Sequence, residues 1–226
     1  MRNQLWPWLR CAAAVLIVAA LGGQLGTSVE VARTNGRDVL TAVANFFSFF
    51  TVLSNLLAAL TLGWAGVAAI ASPNRTVGPP PALLACVTTA MLMTGVVYNL
   101  LLRGIELPQG TTLPWSNEVL HVVGPAFLLI DLLFAPAPRR LAWSSIGWIL
   151  AYPLVWTVYT MVRGPLVTNP TTGEPSWYPY PFLNPDRVAG GWAGVAVYMV
   201  GIAIGMGVVG AVVIAVSRRR TRGRQG

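Results

Sequence analysis

Long apolar runs separated by short polar stretches recur six times along the chain: Trp8–Val29, Val39–Ala71, Ala82–Leu102, Ser116–Ala135, Leu141–Val162 and Trp192–Val216. A membrane-crossing helix needs roughly 17–25 mostly apolar residues, and every run meets that length. Only the second exceeds a single crossing, which predicts that its first residues stand above the membrane or that the helix tilts. The pattern predicts an all-α polytopic membrane bundle of six transmembrane helices, one domain over residues 1–217, followed by a basic tail at 218–226. The first run follows Arg2 and Arg10 as a signal peptide would, yet it continues to Val29 and five spans come after it. It reads as a retained helix.

Polar positions inside these runs are few and ordered. In "NFFSFFTVLSNLL", Ser48, Thr51 and Asn55 fall three and four residues apart, one polar stripe among phenylalanines. The stretch "SNEVLHVVGPAFLLIDLLF", Ser116 to Phe134, holds Asn117, Glu118, the only histidine (His121) and Asp131. An ionisable group at the centre of a membrane helix costs roughly 2.5–3.5 kcal/mol, so each needs a partner or a use. Asn117 and Glu118 lie one turn from His121 on the same side of the helix. The second and fourth spans run in the same direction, which puts Thr51 and His121 at similar depth. At about 1.5 Å per residue, His121 lies on the order of 8 Å below the outer end of its span. Thr51 and His121 are therefore expected to approach hydrogen-bond reach. Tyr98 and Asn99 close the third span in that layer, joined by Thr157, Tyr159 and Thr160 of the fifth. The prediction is a polar pocket in the outer half and packing in the inner half, with Asp131 near the inner end either pairing with Arg139 or Arg140 or snorkelling to the interface.

Composition agrees with the pattern: 55% hydrophobic and 10% charged residues, with mean hydropathy +0.63, against roughly 25% charged in soluble domains. Every basic residue is arginine. With the N-terminus in the cytoplasm, the inner side collects ten: Arg2, Arg10, Arg75, Arg139, Arg140, Arg218, Arg219, Arg220, Arg222 and Arg224. The outer loops hold five, Arg33, Arg37, Arg103, Arg163 and Arg187, beside five acids, Glu30, Asp38, Glu106, Glu174 and Asp186. The excess predicts a plasma-membrane protein with both termini cytoplasmic, and the net charge of +8 then reads as topology and contact with anionic lipid. The tail "SRRRTRGRQG" is short and lacks aromatics, which argues against nucleic acid. One histidine and two isolated cysteines, Cys11 and Cys86, offer no metal site and imply no cofactor.

One loop is long, residues 164–191, and carries Trp177, Tyr178, Tyr180 and Phe182. It reads either as an interfacial aromatic belt or as a lid over an outward-facing cavity. No internal repeat is apparent, which weakens an inverted-repeat transporter.

A lone threonine in a membrane helix usually bonds back to its own backbone, and a lone histidine usually bridges two helices. Their shared depth on different helices adds another reading, a nucleophile and its base. Three segments, "FFSFFTVLSN", "SNEVLHVVGPAFLLID" and "WYPYPFLNP", resemble in order and spacing the androgen-induced-protein family of membrane threonine hydrolases, androgen-dependent coagulation regulators included. The resemblance covers most of the chain and departs from the family in a longer loop before "WYPYPFLNP". It implies a bacterial relative with a six-span fold that hydrolyses lipid (fatty acid) esters; in the family these are fatty acid esters of hydroxy fatty acids. It assigns the catalytic roles to Thr51 and His121. Amides inside a helix are already bonded, so an oxyanion needs side-chain donors or a broken helix. Asn55, Asn99 and the outer tyrosines are the candidate donors, and Asn117 or Glu118 the candidate to orient the imidazole. Two alternatives stand beside this: a transporter or proton-coupled channel relaying through His121, Glu118 and Asp131, and a non-catalytic membrane partner protein.

Overall fold

A computed structural model describes residues 2–72, 78–105, 112–136 and 140–223. Arg75, Glu106, Arg139 and Arg224, which enter the charge count, lie outside the described residues. Among the described residues all regular structure is helical: α1 (Arg2–Thr34), α2 (Val39–Phe46), α3 (Phe50–Ala71), α4 (Pro81–Val97), α5 (Pro114–Glu118), α6 (Gly124–Phe134), α7 (Ser145–Arg163) and α8 (Trp192–Arg222). A π-turn at Tyr98–Leu102 extends α4, and another at Val119–Val123 joins α5 to α6. Six helical segments are long and apolar enough to cross a membrane: Leu5–Thr34, Phe50–Ala71, Pro81–Leu102, Pro114–Phe134, Ser145–Leu166 and Trp192–Arg222.

The overlong second run is resolved by a break. It is not one tilted helix: α2 stops at Phe46, Phe49 is extended (φ −72°, ψ 130°), and α3 starts at Phe50. Four phenylalanines around one serine favour the helix only weakly. Asp38 caps α2 by accepting from Thr41 N–H at 2.6 Å, and hydrogen bonding from Thr41 holds its carboxyl below the usual value. At the other end of the chain, α8 runs through the first residues of the expected tail to Arg222.

Close helix approach rests on small residues, as membrane packing requires. The most extensive pairing is α1 with α3, where a Cβ on Gly66 would lie 2.5 Å from Cys11 Sγ and 2.7 Å from the Pro7 carbonyl. The span begun by α4 is the most buried and touches α3, α6, α7 and α8. On α8, Gly210 lets Ile149 of α7 approach to 3.1 Å of the Cβ position. Around that crossing lies a dry inner core of Ala85, Met93, Ile149, Met206, Val213 and Ile214.

Both chain ends meet at one end of the bundle, opposite the long loop. There Arg10 Nε and Nη2 grip Asp131 at 2.7 and 3.0 Å, and Trp6 Nε1 donates to the same carboxylate at 2.6 Å. Asp131 is therefore tied to α1, its carboxylate projecting sideways onto the neighbouring helix; of the two partners expected for it, Arg139 lies outside the described residues. Arg220 donates to the Leu132 and Ala135 carbonyls at 2.6 and 2.7 Å, satisfying the open end of α6. Asp131→Asn weakens the tie between α6 and α1, and we expect a loss of about 2–3 kcal/mol, the worth of a hydrogen bond to a charged group. Thermal unfolding in detergent checks this; an unchanged midpoint contradicts it.

Candidate active site

The break between α2 and α3 determines the surroundings of Thr51. Leu53 is the first α3 residue whose amide reaches back four residues, to Phe49 O at 3.2 Å. The amides of Phe50, Thr51 and Val52 precede that first bond, as at any helix start. Side chains close the rest of the gap. Trp156 Nε1 donates to Ser48 O at 2.9 Å, and Ser48 Oγ donates to Ala44 O at 2.7 Å while pairing with Tyr159 OH at 2.9 Å.

Pro125 does the same for His121. It lacks the N–H that would otherwise bond His121 O four residues back, and Gly124 N–H reaches five residues back to Val119 O. Leu120 O is thereby left without a helical donor four or five residues on, and His121 O loses its donor four residues on. Asn55 Nδ2 donates to Leu120 O at 3.0 Å and to Thr51 O at 2.9 Å. Asn99 Nδ2 donates to His121 O at 3.5 Å and to Gly95 O at 2.7 Å. Both amides thus commit their two hydrogens to carbonyls, and neither Asn55 nor Asn99, the expected oxyanion donors, lines the cavity that Thr51 and His121 share. Asn55, fully buried, is instead a strut between the turn carrying Thr51 and the turn carrying His121.

The His121 ring is held on two sides. Nδ1 lies 2.9 Å from Asn117 O; a carbonyl only accepts, so Nδ1 carries the hydrogen and the neutral ring presents Nε2 as its lone pair. Nε2 has no hydrogen-bond partner among the described residues. Tyr98 stacks on the ring with centroids 3.9 Å apart, and Asn117 Nδ2 donates to Tyr98 OH. Glu118 does not orient the imidazole: it points away to a two-pronged pair with Arg103 at 2.9 and 3.2 Å. The orienting group is the Asn117 carbonyl, one turn earlier.

The long loop folds down onto this layer. Trp177, Tyr178, Tyr180 and Phe182 are buried in protein, which excludes the interfacial belt for these four rings. Trp177 and Tyr180 meet Phe49 edge-on at 5.7 and 5.5 Å, and Trp177 N donates to Gly164 O at 3.0 Å. Gly164 has to be glycine, because a Cβ there would overlap the Tyr178 ring. Tyr180 OH accepts from Thr51 N at 3.2 Å and shares a second 3.2 Å hydrogen bond with Thr51 Oγ1. Burial pushes the Tyr180 phenol above its ordinary pKa, opposed by those Thr51 contacts, so it stays a hydroxyl.

Thr51 and His121 line one cavity of about 90 Å³ with Gln24, Asn45, Asn117 and Tyr180. No hydrogen bond joins Thr51 to His121 among the described residues; the hydroxyl partner of Thr51 is Tyr180. At the cavity rim Arg37 donates to Thr171 Oγ1 at 3.2 Å. Of the outer polar layer, Tyr98 reaches His121, whereas Tyr159 serves Ser48 and Thr160 bonds back to Trp156 O at 2.9 Å. The sequence reading missed Tyr180 as a contact of Thr51, and Gln24 and Asn45 as wall residues. Asn45 had a visible signal, since it extends the Ser48–Thr51–Asn55 stripe by three residues. Comparison with family models, curated proteins and solved structures finds no match.

Asn55→Leu removes both donor hydrogens; Thr51 O keeps its helical amide, but the Leu120 carbonyl is left buried and unpaired, at roughly 1–3 kcal/mol. We expect a loss of about 1–3 kcal/mol by thermal unfolding in detergent; wild-type stability would mean that these bonds are dispensable.

Proposed function

We propose that this chain is a plasma-membrane hydrolase of lipid (fatty acid) esters, with Thr51 as nucleophile and His121 as general base. One observation carries the reading: both residues face a single cavity, and the Nδ1 contact of His121 leaves Nε2 as the base. A threonine hydroxyl becomes nucleophilic as a base takes its proton during attack. Thr51 Oγ bonds to the ester carbonyl carbon, its proton passes to His121 Nε2, and the alcohol leaves with that proton. Water then cleaves the acyl-threonine by the reverse order of proton transfers. Contacts between base and nucleophile are often loose before substrate binds.

The broken helix supplies what an intact membrane helix lacks. Thr51 N–H and the Tyr180 hydroxyl, now bonded to each other, are the donors proposed to receive the carbonyl oxygen as it gains charge. The arginine distribution supports cytoplasmic termini and an outward-facing pocket, and places the basic end against anionic lipid. The family resemblance points the same way. A relay through Glu118, His121 and Asp131 is disfavoured, because Arg103 and Arg10 occupy the two carboxylates.

Thr51→Ala and His121→Ala are each expected to abolish release of fatty acid from a lipid ester presented in detergent or bilayer. The double variant should be hardly worse than either, since the residues act as one unit. Tyr180→Phe should lower kcat on the order of 10²-fold, as loss of one oxyanion donor does elsewhere. Normal turnover by Thr51→Ala removes the proposal, and a non-catalytic protein would release nothing in any form.

A further inference from the structure

A second cavity, of about 290 Å³, lies on the other side of Thr51 and Tyr180. The Thr51–Tyr180 contact is its shared wall with the smaller one, whose lining carries more polar side chains. Its volume is near the lower end of the roughly 300–1,000 Å³ typical of ligand sites. Its lining is almost entirely apolar, with Met93, Val97, Leu150, Met199, Ile202 and Met206 contributing from three helices. Helices α7 and α8 touch closely at Ile149 and Gly210. Further along, Leu154 of α7 and Ala203 of α8 both line the cavity while lying exposed on the protein surface.

Well-packed interiors leave few voids larger than water, so a space of this size between membrane helices is a site for something.

We infer that this cavity holds a single acyl chain, taken sideways from the membrane leaflet on the loop side through the gap between Leu154 and Ala203. An unbranched hydrocarbon chain is the ligand that an apolar, lipid-facing slot selects: it has nothing to hydrogen-bond along most of its length, and the bilayer supplies it directly. Leu150 and Met206, within a turn of the Ile149–Gly210 contact, line one end of the slot, and the chain tip lies against them. Its head then lies at Thr51 and Tyr180, where the apolar wall gives way to the smaller cavity. The inference deepens the hydrolase reading by placing the acyl part of the ester, but binding is read without turnover.

The test is photolabelling of the full chain in liposomes. Two probes carry the same mid-chain diazirine, one a single-chain fatty acid ester and the other a two-chain phospholipid, and adducts are mapped by mass spectrometry. Expected are adducts concentrated on cavity residues such as Met199 and Met206. Ala203→Trp should cut them at least threefold, and Leu154→Trp likewise, so that misfolding of one variant does not decide the matter. Val208→Trp, on an exposed position of α8 outside the cavity, should leave them unchanged. Labelling by the ester alone identifies a single-chain ligand, and labelling by the phospholipid identifies a bilayer lipid; either supports the chain site. Adducts spread evenly over exposed positions such as Val197 and Val208, or labelling indifferent to both tryptophans, overturn it. Cavity labelling with no ester hydrolysis would sink the hydrolase reading alone, whereas hydrolysis without cavity labelling would sink this one alone.

Discussion

The site depends on one constraint: in a membrane, no water is at hand to satisfy a backbone group that a helix leaves unpaired. Around the site the chain departs from regular helix after Phe46 and before Pro125, and both irregularities open carbonyls or amides within the bundle. Each opening is closed by a side chain from a different helix. Trp156 reaches Ser48, Asn99 reaches His121, and Asn55 bridges Thr51 and Leu120. The repairs fix α3, α4, α7 and the α5–α6 span against one another at one level. Thr51 and His121 lie at that level, so the candidate chemistry sits where the backbone most needs its neighbours.

Much of this was legible in the sequence. Six apolar runs give six helices long and apolar enough to cross a membrane, and the excess length of the second run foretold that Thr51 would sit near the top of its helix. The polar stripe of Ser48, Thr51 and Asn55 is buried as its spacing required. What failed was the assignment of roles to amides. Asn55 and Asn99 read as donors to substrate because spacing reveals that a polar group is buried, not which atom it answers. The missing information was the pair of carbonyls freed by Pro125, a feature of backbone geometry.

Tertiary partners were less legible still. Tyr180 meets Thr51 across 129 positions of sequence, and only the folding-down of the loop brings them together. Asp131 finds Arg10 and Trp6 at the far end of the chain, while the arginines nearest in sequence looked the natural choice. Charge pairs inside a bundle are chosen by the helix that lies alongside, and that neighbour is decided by small-residue packing such as that of Gly66 on α1.

The wall shared by the two cavities has a kinetic meaning. Thr51 and Tyr180 face the smaller chamber and the apolar slot at once, so the occupant of one is felt in the other. On the proposed hydrolase reading, the nucleophile would not reset while a severed chain still pressed on Tyr180, so departure of the product and recovery of the resting hydroxyl pair would be one event. The pace of turnover would then follow how fast a hydrocarbon slides back into the bilayer, a property of the surrounding lipid as much as of the protein.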